Sequence, residues 1–265
     1  MSLPPRRAVV TALRAAGCVF AEEEAQLLLA AAGPAAPAHL AALLHRRISG
    51  EPLEHVLGWA EFRGVRYAVD RGVFVPRRRT AFLVERAAAL APPAGPAAPV
   101  VVDLCCGTGA LGAALTAELG GAELHCVDID PAAVGCARRN VRPVGGTAHE
   151  GDLYGPLPAR LRGRVQLLLA NVPYVPTGEI ALLPAEARLH EARIALDGGP
   201  DGFDVLRRVA AGAGEWLRPG GSLLFETSER QSAGAVRITE RAGLLPGVAR
   251  SGELHATVVT GTRRV

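Results

Sequence analysis

The 265-residue chain contains no lysine, and all 29 of its basic residues are arginine. That absence excludes Schiff-base catalysis on a lysine amine and the lysine of a Walker-type phosphate loop. With abundant Ala, Gly and Pro it reads as the codon bias of a GC-rich genome, and a net charge of +3 is too mild to mark a nucleic-acid partner. Aromatic residues make up only 4% of the chain, with three Tyr and two Trp, so platforms for stacking unpaired bases are thinly supplied. No run approaches the ~18 to 20 uninterrupted apolar residues of a membrane span. Residues Met1 to Arg7 hold no secretory apolar segment, so a cytoplasmic location is expected. The five cysteines form no C-x-x-C pair, and adjacent Cys105 and Cys106 are poorly placed to bridge each other. They read as small core hydrophobes in a reducing compartment. The seven histidines show no pair at metal-ligand spacing, and His55 and His190 read as packing or surface residues. No metal is expected.

The apolar fraction of 49% is that of a well-cored protein. Apolar residues recur every three or four positions over 8–16, 21–32 and 37–49, which predicts three helices punctuated by Gly17, Gly33-Pro34 and Gly50. A β-like stretch follows at 61–69, ending in Gly72-Val73-Phe74-Val75-Pro76, and then a helix over 80–90. Residues 91–99 are a Pro/Ala run, a semi-rigid connector. Beyond it, strands are predicted at 100–104, 124–128, 148–151, 165–170, 221–226 and 255–260, with helices between them, including 131–141 and 202–217. Such alternation predicts an α/β fold with a parallel, doubly wound sheet. The chain divides into a helical part (1–55), a hairpin, helix and connector (56–99), and an α/β domain (100–265).

Three predicted strand ends carry acids. The first strand runs through Asp103-Leu104-Cys105-Cys106 into Gly107-Thr108-Gly109, where glycines let the backbone approach a ligand closely. The second ends at Asp128-Ile129-Asp130, and an acid at that tip can accept both hydroxyls of a ribose. The third ends at Gly151-Asp152-Leu153, where Asp152 is placed to meet an adenine amino group. Gly107-x-Gly109-x-x-Gly112 also matches the dinucleotide fingerprint, with Asp128 about 20 residues on, so NAD is a rival. Asp103 before the loop favours a cationic ligand over a pyrophosphate. S-adenosylmethionine, with a sulfonium and no phosphates, fits better. Asp103 as a turn cap and Asp152 as a solvated strand end are the plainer readings.

Asn171-Val172-Pro173-Tyr174 follows the apolar run 165–170. The Asn171 side-chain oxygen and the Val172 carbonyl can each accept one N–H from a planar NH2 group, with the Tyr174 ring packed on its face. That would aim a weak nitrogen nucleophile at an electrophile. By itself the tetrapeptide is also an ordinary strand-to-loop turn. Phe74 reads as pocket lining or core, and Arg77-Arg78-Arg79 as a solvated charged face.

Taken together, these motifs resemble the protein-glutamine methyltransferases of the HemK/PrmC type over nearly the whole length. The similarity takes in Gly50-Glu51-Pro52-Leu53-Glu54-His55, Phe74-Val75-Pro76-Arg77 with Thr80, and Asp103 to Gly109. It continues through Asp128-Ile129-Asp130-Pro131, Asn171 to Tyr174, Ala195-Leu196-Asp197-Gly198-Gly199 and Leu217-Arg218-Pro219-Gly220-Gly221. The resemblance implies a Rossmann-like class I fold with a seven-stranded, mostly parallel sheet and a small N-terminal helical domain for partner recognition. It implies S-adenosylmethionine held by Asp103, Cys105, Gly107, Thr108, Gly109, Asp128, Ile129, Asp152, Leu153 and Asn171. It implies methyl transfer to the glutamine amide of the GGQ motif of a peptide-chain release factor. Asn171, Val172, Pro173, Tyr174 and Phe74 would form the transfer centre, with Phe74 near the methyl group.

The chain departs from the family's N-P-P-Y at Val172, and from its P-R-x-[DE]-T-E loop at Arg79 and Ala81. Cys105-Cys106 stand where the family has Gly-Thr, and Thr227-Ser228 replace Ile-Gly after Glu226. Competing readings are methylation of another amide or amine (a nucleobase or metabolite) and a non-catalytic S-adenosylmethionine-binding protein, with a dehydrogenase behind both. A monomer with no membrane and no direct nucleic-acid partner is the expected state.

Overall fold

The computed structural model describes residues 6–33, 36–91 and 98–265. Helices α1 (Arg6–Ala15), α2 (Ala21–Ala32) and α3 (Pro37–Ile48) come first, followed by the short α4 (Leu53–Leu57). Their three- and four-residue apolar spacing turns one side of each helix inward. Leu13, Leu28, Leu40 and Val56 meet there in a core of their own. Polar side chains are buried beside them, among them the paired Glu24 and Arg47. Arg47 donates from Nε to Glu24 at 2.6 Å and from Nη1 to Glu186, far along the chain, at 2.6 Å.

The β-like stretch at 61–69 belongs to a hairpin, as expected, with β1 (Trp59–Phe62) against β2 (Val65–Ala68). Arg63 and Gly64 both take positive φ, 51° and 75°, which reverses the chain between the two halves. Gly72 to Pro76 forms no strand and keeps one parallel bridge, Gly72 to Glu191. Helix α5 (Ala81–Ala89) follows a short 3-10 turn at 78–80. Most of the Pro/Ala run, 92–97, lies outside the described residues.

The second half builds one sheet from β3 (Val100–Leu104), β4 (Glu123–Asp128), β5 (Thr147–Glu150), β6 (Val165–Ala170), β7 (Leu217–Thr227), β8 (Leu245–Ser251) and β9 (Ala256–Thr262). The order is β5-β4-β3-β6-β7-β9-β8, parallel except where β9 runs against β7 and β8. The central strands are apolar on both faces because both are covered. Val101, Leu167, Leu169 and Leu224 face one core with α5, α6 (Ala110–Glu118) and α7 (Pro131–Val141). Val102, Leu168, Leu223 and Phe225 face the other with α9 (Asp204–Trp216) and α10 (Ser232–Arg241). The short α8 (Ala185–His190) lies in the loop after β6. The expected seven-stranded, mostly parallel α/β sheet is therefore present.

Its seventh member, β8, is a strand that pattern reading missed. It carries Pro246 and Gly247, and as an edge strand it has no buried face to impose alternation. Among the described residues, no helix is long and apolar enough to cross a membrane, and no group of three or more side chains can hold a metal ion.

Candidate active site

The strand order reverses direction at β3, with β4 on one side and β6 on the other. Loops leaving the carboxyl ends of adjacent β3 and β6 run to opposite faces of the sheet, which opens a crevice. A cavity of about 490 Å³ occupies it. It is lined by all of the candidate residues named from the sequence except Gly109. Gly109 instead serves packing: at φ 73° it starts α6, and a Cβ there would stand 2.9 Å from Val141 Cγ1.

Asp103 is the electrostatic centre of the crevice. Its side chain is buried, with Oδ2 accepting the Gly112 amide at 2.9 Å and Oδ1 left without a partner. Burial pushes this carboxyl up to about 7, against the pull of the Gly112 hydrogen bond and with a further push from Asp128. A carboxylate already occupying the first turn of α6 stands where a pyrophosphate would need to sit. The dinucleotide reading of Gly107-x-Gly109-x-x-Gly112 therefore fails on geometry. An unpaired carboxylate oxygen in a low-dielectric wall fits a cationic ligand such as S-adenosylmethionine.

Asp128 has a second task that its position on the chain does not reveal. Its Oδ2 accepts the Gly107 amide at 2.8 Å and Oδ1 accepts Asp130 at 3.0 Å, so it ties the glycine turn to the tip of β4. Each oxygen keeps a further lone pair for a ribose hydroxyl. Burial raises its pKa, opposed by those amide bonds. Ile129 is half-exposed at the cavity edge, and Leu153 adopts a left-handed φ of 46° beside it. Asp152 is not a bare strand end, since Arg208 of α9 pairs with it. Cys105 takes φ 55° where the related family carries glycine, and burial pushes its thiol pKa up, so it is an inert wall rather than a nucleophile. Thr108 is buried, and its carbonyl accepts Asn140 Nδ2 at 2.9 Å.

Across the crevice, Asn171 is half-buried at the end of β6. Neither its side-chain amide nor the Val172 carbonyl takes a hydrogen bond from the described residues. Val172 itself is 2% exposed and packs into the core with Leu168, Leu206 and Phe225. Exchanging proline for valine there fills core volume and leaves the carbonyl acceptor free. Phe74 is half-buried in the opposite wall, with the Arg77 guanidinium 4.9 Å over its ring.

The loop 171–175 is shaped by a segment the sequence offered only as a motif. Val175 pairs with Asp197, its amide donating to Leu196 O at 3.1 Å while Gly198 donates to Val175 O at 2.8 Å. Gly202, at φ 78°, lies so close that a Cβ would sit 2.4 Å from Tyr174 O. Gln231 Nε2 donates to that same carbonyl at 2.9 Å.

Arg78 is exposed as expected, but the arginines on either side of it are tied to buried acids. Arg77 donates to Glu191 Oε1 at 2.6 Å, and Glu191 also accepts the Val75 amide at 3.1 Å, which holds Phe74 in place. Burial pushes the Glu191 carboxyl up against the pull of Arg77. Arg79 donates from Nε to Glu226 at 2.8 Å and from Nη2 to the Tyr174 hydroxyl at 2.6 Å. Tyr174 in turn donates to Glu226 Oε1 at 3.1 Å, and burial beside that acid pushes its phenol up to about 12. Buried carboxylates draw in guanidinium groups that sequence alone assigns to solvent. Glu191, Glu226 and Gln231 were missed as site residues because their partners lie more than 50 positions away.

The methyltransferase small domain family matches residues 78–201. A release factor glutamine methyltransferase of Cereibacter sphaeroides is 36% identical over 254 residues, covering 90% of this chain and 89% of that protein. One of Geobacter sulfurreducens is 37% identical over 215 residues, covering 79% and 73%. Among solved structures, a methyltransferase from Pyrococcus furiosus aligns with a TM-score of 0.56 at 12% identity, covering 85% of this chain and all of that one. A ribosomal protein L11 methylase from Lactobacillus delbrueckii aligns at 0.51 with 15% identity, covering 71% and 81%. These two likenesses concern the fold.

Proposed function

Since the chain belongs to the release factor glutamine methyltransferase family, we propose that it methylates the side-chain amide of a glutamine in a peptide-chain release factor. The cofactor is S-adenosylmethionine, which supplies an electrophilic methyl group on a sulfonium sulfur when bound. Asp103, with its unpaired Oδ1, would face the cationic end, and Asp128 the ribose. Gly107, Thr108 and Cys105 would form the close backbone wall, with Ile129, Asp152 and Leu153 around the base.

The observation that carries the acceptor assignment is the pair of free acceptors, the Asn171 side-chain oxygen and the Val172 carbonyl, side by side at the end of β6. An amide nitrogen is a weak nucleophile because its lone pair is delocalised into the carbonyl. Two acceptors holding its two hydrogens favour the pyramidal form and fix its direction. Tyr174, its hydroxyl held by Arg79 and Glu226, would present its ring to the flat face of the amide. Phe74 and Pro173 would exclude water from the other sides. No proton need leave before the methyl group is accepted, so positioning does most of the work, and ideal positioning is worth roughly 7–11 kcal/mol.

The helical part, 1–55, serves as the recognition unit for the acceptor protein, joined to 100–265 through 56–99. Its separate core and the Arg47–Glu186 pair, which reaches the cavity wall, support that role. A monomer acting in the cytoplasm, on protein and not directly on nucleic acid, completes the reading.

The test is transfer from methyl-labelled S-adenosylmethionine to purified release factor. Label is expected on the GGQ glutamine, and Asn171→Ala should lower the rate roughly 100-fold or more. Cofactor binding with no label on release factor would redirect the search to another amide or amine.

A further inference from the structure

A second cavity of about 490 Å³ lies beyond Tyr174, between the end of β7 and the turn joining β8 to β9. Arg79 and Tyr174 line both cavities, so the hydrogen-bonded pair they form is a shared wall. Glu226 stands at that wall, 3% exposed, with Oε1 engaged by Arg79 and Tyr174 and Oε2 without a partner. The next residue, Thr227, is 5% exposed, and its hydroxyl is also unpartnered. Buried acceptors left without donors are costly, and two in succession beside one cavity call for an occupant that brings N–H groups.

Charge narrows the choice of occupant. Around the cavity Glu226 is matched by Arg79, and Glu229 faces Arg250 at 3.5 Å. Paired charges leave little net field, which disfavours a phosphate or an ammonium group and suits a neutral donor. A main-chain amide is such a donor, and the shared wall places it next to the bound glutamine.

We propose that the second cavity is a subsite for the acceptor protein's main chain beside the methylated glutamine, with Glu226 and Thr227 accepting its N–H groups. This rests on the acceptor assigned above. Arg79 keeps Glu226 Oε1 engaged, so Oε2 is the oxygen left to accept from that chain.

Two variants test it. Gly252 lines the cavity, and a Cβ there would meet no atom within 4 Å, so Gly252→Phe adds bulk at the cavity rim without disturbing the turn. It should raise KM for release factor about tenfold while cofactor affinity and Tm hold. Thr227→Val removes an unpaired hydroxyl at constant shape. The free protein should melt no lower, yet KM for release factor should rise roughly fivefold, the value of about one hydrogen bond. A purely structural Thr227 would do the reverse, moving Tm and leaving KM alone. Wild-type KM in both variants would overturn the subsite while leaving the methyltransferase reading intact. A wild-type protein that binds cofactor but labels no release factor would overturn the acceptor assignment, and this subsite with it.

Discussion

On the cofactor assignment proposed above, Asp103 ties cofactor binding to pH. Its carboxyl rises from 3.8 when unfolded to about 7 in the folded chain, chiefly through burial. The folded state therefore holds the proton more tightly. Stability from this residue is complete below about pH 4, declines as pH rises towards 7, and is absent above it. Asp103→Asn should flatten that slope, which urea melts at pH 5 and pH 8 would reveal. A cationic cofactor needs the ionised form. Its affinity should thus fall as pH drops below 7, by at most about tenfold per unit, and calorimetry across pH 5.5–8 checks this. An acid before a glycine turn is visible in sequence, but its burial and its bond to Gly112 are not. At Asp128 the chain revealed the residue type and hid the bond to Gly107, in a turn 21 residues away.

Among the elements, the loop after β6 shows how a motif becomes a site. Asn171 to Tyr174 is held by a distant segment, through the Val175–Asp197 bridge and the near contact of Gly202 with the Tyr174 carbonyl. Gly202→Ala combines a φ of 78° with a Cβ 2.4 Å from that oxygen. It should cost at least about 2 kcal/mol and lower methyl transfer together with Tm. Thermal melts alongside single-turnover rates measure both. The buried strands were legible because apolar runs bounded by glycine or acid allow little else: Val100–Leu104 and Val165–Ala170 lie where the pattern predicts them. The edge strand β8 was not legible, because its pairing with β9 rather than its own side chains makes it a strand.

For the whole molecule, Arg47 joins the helical part to the crevice. It is 8% exposed and bonds Glu24 within that part and Glu186 in the cavity wall. Arg47→Ala leaves Glu24, 7% exposed, without its counter-ion, and should destabilise the helical part by roughly 3–5 kcal/mol. Hydrogen exchange should rise first in α1 to α3 while β3 to β7 stay protected. A uniform loss of protection would refute this view of two cores joined by an ion pair. Apolar spacing and glycine placement along the chain determined the helices, the parallel sheet and the loops that carry Asp103, Asp128 and Asn171, because these depend on neighbours within a few residues. Only tertiary structure decided that Arg77 and Arg79 pair with buried Glu191 and Glu226, that Val172 packs into the core, and that Glu226 and Thr227 line a second cavity. A side chain's partner across the fold is set by which strands lie adjacent, and the local pattern carries no record of that.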